Sequence, residues 1–219
     1  GTLTNGPTFS RSVPAEDATW NNRSILFDDV DDYITTTADD TLATKSYSFW
    51  AKSTETSSNG VFNHGGLAVG AFSLNDGNRP ILYLHDGSGS GYNYIYWDDN
   101  AAQDDNAWHH WVVFLDHTDT TNCKLYCDGV LQSVDTSATI GPAAAYTAGL
   151  EIGRAADRYF DGNLDEFAVF DGELTPAQVL QIYNGGKPAD LKEFSPESWY
   201  RMGDDDDAGG TTIRDLGVV

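Results

Sequence analysis

Five residues on two nearby segments carry the most suggestive chemistry in this chain. Tyr83 and His85 stand two apart, as do Tyr92, Tyr94 and Tyr96. In extended backbone, residues two apart share a side, so each segment gathers its rings on one side. Where the two sides coincide they form a tyrosine and histidine patch. Such a patch is amphipathic and suits sugar rings or a protein partner. The same rings would serve equally as cross-strand aromatic pairs that stabilise a sheet. Ile95 and Trp97 then face the core.

Other reactive residue types lack the spacing their chemistry needs. Histidines occur at positions 64, 85, 109, 110 and 117, but no G-x-S-x-G turn accompanies them. His109-His110 lies in an apolar strand segment and reads as structural. Cys123 and Cys127 are four apart in a strand-like stretch, roughly 13 Å in extended backbone, too far for a disulfide. With Leu125 they share one face, as two buried thiols. The runs Asp28–Asp32 and Asp204–Asp207 cluster oxygens without the spacing of an EF-hand loop. They read as solvated turns.

The chain has 219 residues, 34 acidic against 12 basic, for a net charge of −22. That balance argues against nucleic acid and anionic membranes, since phosphate binding needs clustered cations. It suits a salty or calcium-containing medium. Asp supplies 27 of the acids and Glu only 7, beside 22 Gly, and these turn formers point to an all-β chain. Aromatics at 12% argue against disorder. No apolar run approaches the ~18–20 residues that cross a bilayer. The initial Gly predicts a chain trimmed or cut from something longer.

Short strands must position the patch. They are expected at 24–27, 33–36, 47–52, 61–63, 68–74, 81–85, 92–97, 109–115, 124–127, 130–134, 150–152, 163–170 and 198–202. Their spacing and their loops of Gly, Asp, Asn and Ser indicate a sandwich or barrel. Residues 86–91, Asp-Gly-Ser-Gly-Ser-Gly, form a flexible hairpin loop between the two tyrosine segments. One short helix is predicted near 175–184. Thr175 is its N-cap, Pro176 its first residue and Gln178 the partner in a capping box. Val179, Leu180, Ile182 and Tyr183 form its apolar face, and Gly185-Gly186 ends it. No composition break divides the chain, so residues 1–219 read as one domain.

Three stretches resemble the laminin-G-like domains of the concanavalin A-like lectin/glucanase superfamily. They are Ser24-Ile-Leu-Phe-Asp-Asp-Val-Asp-Asp-Tyr-Ile34, then Trp108-His-His-Trp-Val-Val-Phe114 with Lys124-Leu-Tyr-Cys-Asp-Gly-Val-Leu131, and the block from Leu150 to the capped helix. The resemblance implies a jelly-roll sandwich of two antiparallel sheets. Glycosidases of the superfamily carry an E-x-D-x-E strand, which none of the seven Glu begins. Asp165 and Glu166 do not fit either, as adjacent strand residues face opposite ways. The resemblance therefore implies a recognition module, not an enzyme.

Relatives hold calcium at a rim of the sandwich, and this implies calcium at Asp157, Asp161 and Asp165. Ala155 and Ala156 stand where the pentraxin pattern has ligands, and Asp161–Glu166 could equally be a turn whose carboxylates accept backbone N–H groups. Trp199-Tyr-Arg-Met-Gly203 through Gly217 resembles a segment that usually comes first in the family. This predicts circular permutation, one period of a tandem array, or a strand lent to a neighbouring subunit. The function implied is binding of a glycan or a protein surface, extracellular or on a virion, as in marine phage structural proteins. A decoration or fibre domain without a glycan ligand is the alternative. Partners include a second copy or a tandem neighbour, with no membrane insertion.

Overall fold

The computed structural model describes residues 1–15, 20–36, 44–64, 70–85, 92–98, 102–138, 149–204 and 210–218. Its strands are β1 (Thr2–Thr4), β2 (Thr8–Ser10), β3 (Ser24–Asp28), β4 (Tyr33–Thr35), β5 (Thr44–Lys52), β6 (Ser58–His64), β7 (Gly70–Asp76), β8 (Ile81–His85) and β9 (Tyr92–Trp97). There follow β10 (His109–Asp116), β11 (Lys124–Cys127), β12 (Val130–Leu131), β13 (Val134–Ala138), β14 (Leu150–Ile152), β15 (Arg154–Ala155), β16 (Arg158–Tyr159), β17 (Asp161–Asp171) and β18 (Ser198–Tyr200). The α-helix α1 spans Pro176–Tyr183.

These strands form a jelly-roll sandwich of two antiparallel sheets. The first sheet runs β1-β4-β14-β6-β7-β8-β9-β13, and the second β12-β11-β10-β5-β17-β3-β2. Between them lies an aromatic core in which Tyr47 stacks on Phe62 at 4.2 Å and Phe49 on Phe167 at 5.7 Å. Trp97, Trp111 and Leu125 are fully buried there, and Cys123 and Cys127 are free thiols in the same core. Alternation drives this arrangement. Leu82, Leu84, Ile95 and Trp97 point inward, leaving Tyr83, Tyr94 and Tyr96 for the outer face.

Helix α1 covers the outer face of the second sheet. Thr175 caps it, and the reciprocal capping box with Gln178 is present. Val179 and Ile182 are buried against Val112, Tyr126, Phe170 and Trp199. Leu180 is 56% exposed, so it lies off the apolar face expected to include it: one turn presents only part of its circumference to a flat sheet. The helix stops at Asn184, in the left-handed conformation.

Two expectations need correction. The single strand over 130–134 is two strands in different sheets, β12 at one edge and β13 at the other sheet's edge. The last strand is not lent to a neighbour, since β18 pairs with β17 in its own chain. The segment that carries Ala155, Ala156 and Asp157 is a small hairpin of β15 and β16. Its backbone lies so close to Gly60 that a Cβ there would overlap the Arg158 carbonyl and the Ala155 nitrogen. The first and last segments also meet. The Gly1 amino group donates to the Ile213 carbonyl at 2.7 Å, and Leu3 N–H donates to that of Thr211 at 2.8 Å.

Candidate functional site

The register of β8 and β9 brings the expected tyrosines together. Tyr83 lies opposite Tyr94, Ile81 opposite Tyr96 and His85 opposite Tyr92. Tyr83 and Tyr94 meet edge to face at 5.6 Å. Tyr94 and Tyr96 are half-buried, as is His85, whereas Tyr83 is 8% exposed. The side chain of Tyr92 and the loop 86–91 lie outside the described residues. Tyr83 is thus the keystone of the face, and Tyr94 and Tyr96 are its accessible rings.

Arginines that no local spacing announces complete the face. The Tyr83 hydroxyl donates to Asp76 Oδ2 at 2.9 Å and accepts from Arg158. Arg158 lies over the Tyr83 ring at 4.9 Å and pairs with Asp76 at 3.4 Å. Arg79 lies over Tyr96 at 4.3 Å and pairs with Asp135. On β14's side, Arg154 lies over Tyr33 at 4.6 Å and pairs with Glu151 at 2.8 Å. Burial, reinforced by Asp76, pushes the Tyr83 hydroxyl well above its ordinary pKa, and the same causes raise that of Tyr96. Both phenols stay neutral.

The face gathers rings, cations and hydrogen-bonding groups. Three units repeat the same composition: a tyrosine ring, a guanidinium and a carboxylate. Each carboxylate meets a cation rather than a second carboxylate, so no acid and base pair is assembled here. Planar donors beside ionised acceptors can hydrogen-bond neighbouring hydroxyls of a ligand in both directions. The guanidiniums already cover one face of Tyr83 and of Tyr96, which limits bare ring stacking to Tyr94 and ring edges.

The acids expected to hold calcium do not converge. Asp157 is exposed in the turn between β15 and β16, Asp161 begins β17, and Asp165 is fully buried further along that strand. Asp165 instead joins Glu166 and Asp204, with carboxylate oxygens within 4.8 Å of one another. A bulge in β17 causes this: pairing with β5 slips between Asp165 and Ala168, and Glu166 adopts φ +50°. Both adjacent acids therefore turn to the same side, against the strict alternation expected of a strand.

That buried cluster is already served by protein donors. Glu166 accepts from Trp199 Nε1 at 2.6 Å and from Arg201 Nε at 3.2 Å. Asp204 accepts from the Asn22 N–H at 2.8 Å and lies 3.5 Å from Arg201. Asp165 accepts from the Glu166 N–H at 2.9 Å. Burial raises the pKa of both Asp165 and Glu166, and their mutual repulsion adds to that of Asp165. The Arg201 guanidinium already bridges Glu166 and Asp204, and the set does not fit a calcium ion. Asp204 is accordingly no solvated turn.

Two further groups contain metal-ligand types. His109 is gripped by Asp128 at 2.7 Å and Asp105 at 3.3 Å, next to Cys127. Its pKa is raised, chiefly by the hydrogen bond to Asp128, while burial pushes the Cys127 thiol far above its ordinary value. A thiol held protonated is a poor ligand. In the turn after β3, the carboxylates of Asp28, Asp31 and Asp32 converge within 4.8 Å. Asp32 is buried, not solvated, and burial with repulsion from Asp28 and Asp31 pushes its pKa up to about 6. Asp161 stands near Glu55 and Asp28, and burial and these two acids raise its pKa too.

A family profile described as the concanavalin A-like lectin/glucanases superfamily matches residues 28–180. The chain belongs to that superfamily. No curated protein matches this superfamily member, but solved structures share its fold. One is domain 4 of AbnA, an extracellular GH43 arabinanase from Geobacillus stearothermophilus, in complex with arabinotriose. It has a TM-score of 0.57 and 18% identity over 82% of each chain. The botulinum neurotoxin serotype G binding domain has a TM-score of 0.55 and 17% identity, covering 82% of this chain and 46% of that one. Mouse laminin α1 domains LG4-5 have a TM-score of 0.52 and 13% identity over 67% of this chain and 40% of theirs. The chain spans less than half the length of these last two structures. At such identities the likeness is one of fold.

Proposed function

We propose that this lectin-like sandwich is a non-catalytic recognition module, extracellular or on a virion surface, whose outer first-sheet face binds a neutral glycan. The observation that carries the reading is the alignment of Tyr83, Tyr94 and Tyr96 with the pairs Arg79–Asp135 and Arg158–Asp76. In a chain of net charge −22, these arginines are neutralised in place. The face therefore offers hydrogen bonds without attracting anions. The arabinotriose complex of the AbnA domain makes glycans the first ligands to test. A glycan array followed by calorimetry is expected to find a ligand whose affinity falls at least tenfold in Tyr94→Ala and in Arg158→Ala. An array without a ligand, or binding indifferent to both substitutions, would refute it.

A second reading, a decoration or fibre domain, is favoured by one edge of the sandwich. Val130 and Leu131 on β12, Val134 on β13 and Leu180 on α1 are all more than half or just half exposed, at 62%, 55%, 50% and 56%. That apolar edge would pack against a second copy or a tandem neighbour. It would also suit a chain that is one period of a tandem array.

A further inference from the structure

On the opposite side of the molecule, behind the second sheet, a cavity of about 570 Å³ opens between the end of α1 and the short 3-10 helix Leu191–Phe194. Its size falls within the range of small-ligand sites, roughly 300–1,000 Å³. Trp20 and Phe194 give it aromatic walls, Asn21, Gln181 and Asn184 give it amides, and Glu193 gives it an acid. None of these residues belongs to the tyrosine face.

Asn21 singles out the cavity from a surface dent. The residue is 1% exposed, and its side-chain nitrogen donates to Asp165 Oδ2 at 3.3 Å. Its amide oxygen has no hydrogen-bond partner. Buried acceptors of this kind are nearly always satisfied, so Asn21, a residue of the cavity lining, lacks one donor. Arg201 fixes the wall, lying over the Trp20 ring at 4.4 Å and donating to the Trp20 carbonyl. The indole is thereby held in place before any ligand arrives.

We propose that this cavity is a second, independent ligand seat for one neutral pyranose ring. The chemistry selects that class. Side-chain amides both donate and accept, which matches hydroxyl groups, and aromatic walls suit the apolar faces of a sugar ring. A ligand hydroxyl would supply the donor that Asn21 lacks. Anions are disfavoured, because Asp190 and Glu193 outnumber the one cation on the rim, Lys187.

The test is a titration followed by the side-chain amide signals of Asn21, Gln181 and Asn184 in two-dimensional NMR. The probes are the methyl pyranosides of glucose, galactose, mannose and N-acetylglucosamine, each titrated to roughly 100-fold over a Kd of ~1 mM. At least one probe is expected to shift these signals saturably. Gln181→Ala/Glu193→Ala, two exposed positions, is expected to weaken that response at least tenfold while leaving the folded spectrum intact. Tyr94→Ala should leave it unchanged, which separates this seat from the tyrosine face. No saturable shift with any of the four sugars, or a shift abolished by Tyr94→Ala and untouched by the double variant, would overturn the proposal.

Discussion

His110 makes acid a quantitative probe of the sandwich. It lies fully buried between Trp50 and Tyr183, at ring distances of 5.2 and 6.2 Å, with its Nε2 2.9 Å from Ser48 Oγ. Its Nδ1 has no partner. Burial pushes its pKa down from 6.5 to about 3. A base depressed on folding binds its proton more readily when unfolded, so stability falls as pH drops below 6.5 and levels off near the folded value. Each pH unit in that window costs about 1.4 kcal/mol. Relative to pH 8, the loss amounts to about 2 kcal/mol at pH 5 and about 3.4 kcal/mol at pH 4.

Other groups titrate in the same window, including His64, which burial and Lys45 push down to about 4. The raised acids act in the opposite sense. The difference between the natural chain and His110→Gln isolates the one ring, because distant titrations cancel. Urea unfolding at pH 8, 7, 6 and 5 should show the gap between the two proteins closing by about 2 kcal/mol as pH falls. A gap that stays constant to within ~0.5 kcal/mol would mean that His110 is not held neutral, and the reasoning would fail.

Arg201→Met should cost roughly 3–5 kcal/mol at pH 8, because it strands buried carboxylates without their cation. The cost should shrink by pH 5, where Glu166 and Asp165, already raised, take up protons; denaturation midpoints at the two pH values check this. Millimolar calcium is proposed to bind the Asp28–Asp32 turn and to raise Tm by roughly 5–10 °C at a hundredfold excess over Kd. The rise should vanish in Asp32→Asn; equal melts with calcium and with chelator would exclude the site.

What sequence could reveal here follows from how local the cause is. The capping box of Thr175 and Gln178, the turn-rich spacing of strands and the shared side of Tyr83 and Tyr94 depend on neighbours in the chain, and all were legible. The arginines over those rings were not. Arg158 reaches Tyr83 across 75 positions and Arg79 reaches Asp135 across 56, distances at which no spacing rule operates. The break between β12 and β13 was equally hidden, because both halves of Val130–Val134 carry similar side chains while the backbone leaves one sheet for the other. Asp165 and Glu166 were misread for a different reason. Their shared side comes from one residue in a left-handed conformation, which composition does not mark when that residue is Glu rather than Gly.

The extra residue at Glu166 also resets which positions of β17 look inward. Before it, Leu164, like Phe160 just ahead of the strand, fills the space between the sheets; after it, Phe167 and Val169 do, and Ala168 and Phe170 turn to the helix. Even numbers serve the interior first and odd numbers afterwards, so the strand behaves as two phases spliced end to end. The bulge is therefore what keeps both phases facing the core. A strand of the same length without it would send Phe167 and Val169 outward and bring Ala168 and Phe170 in.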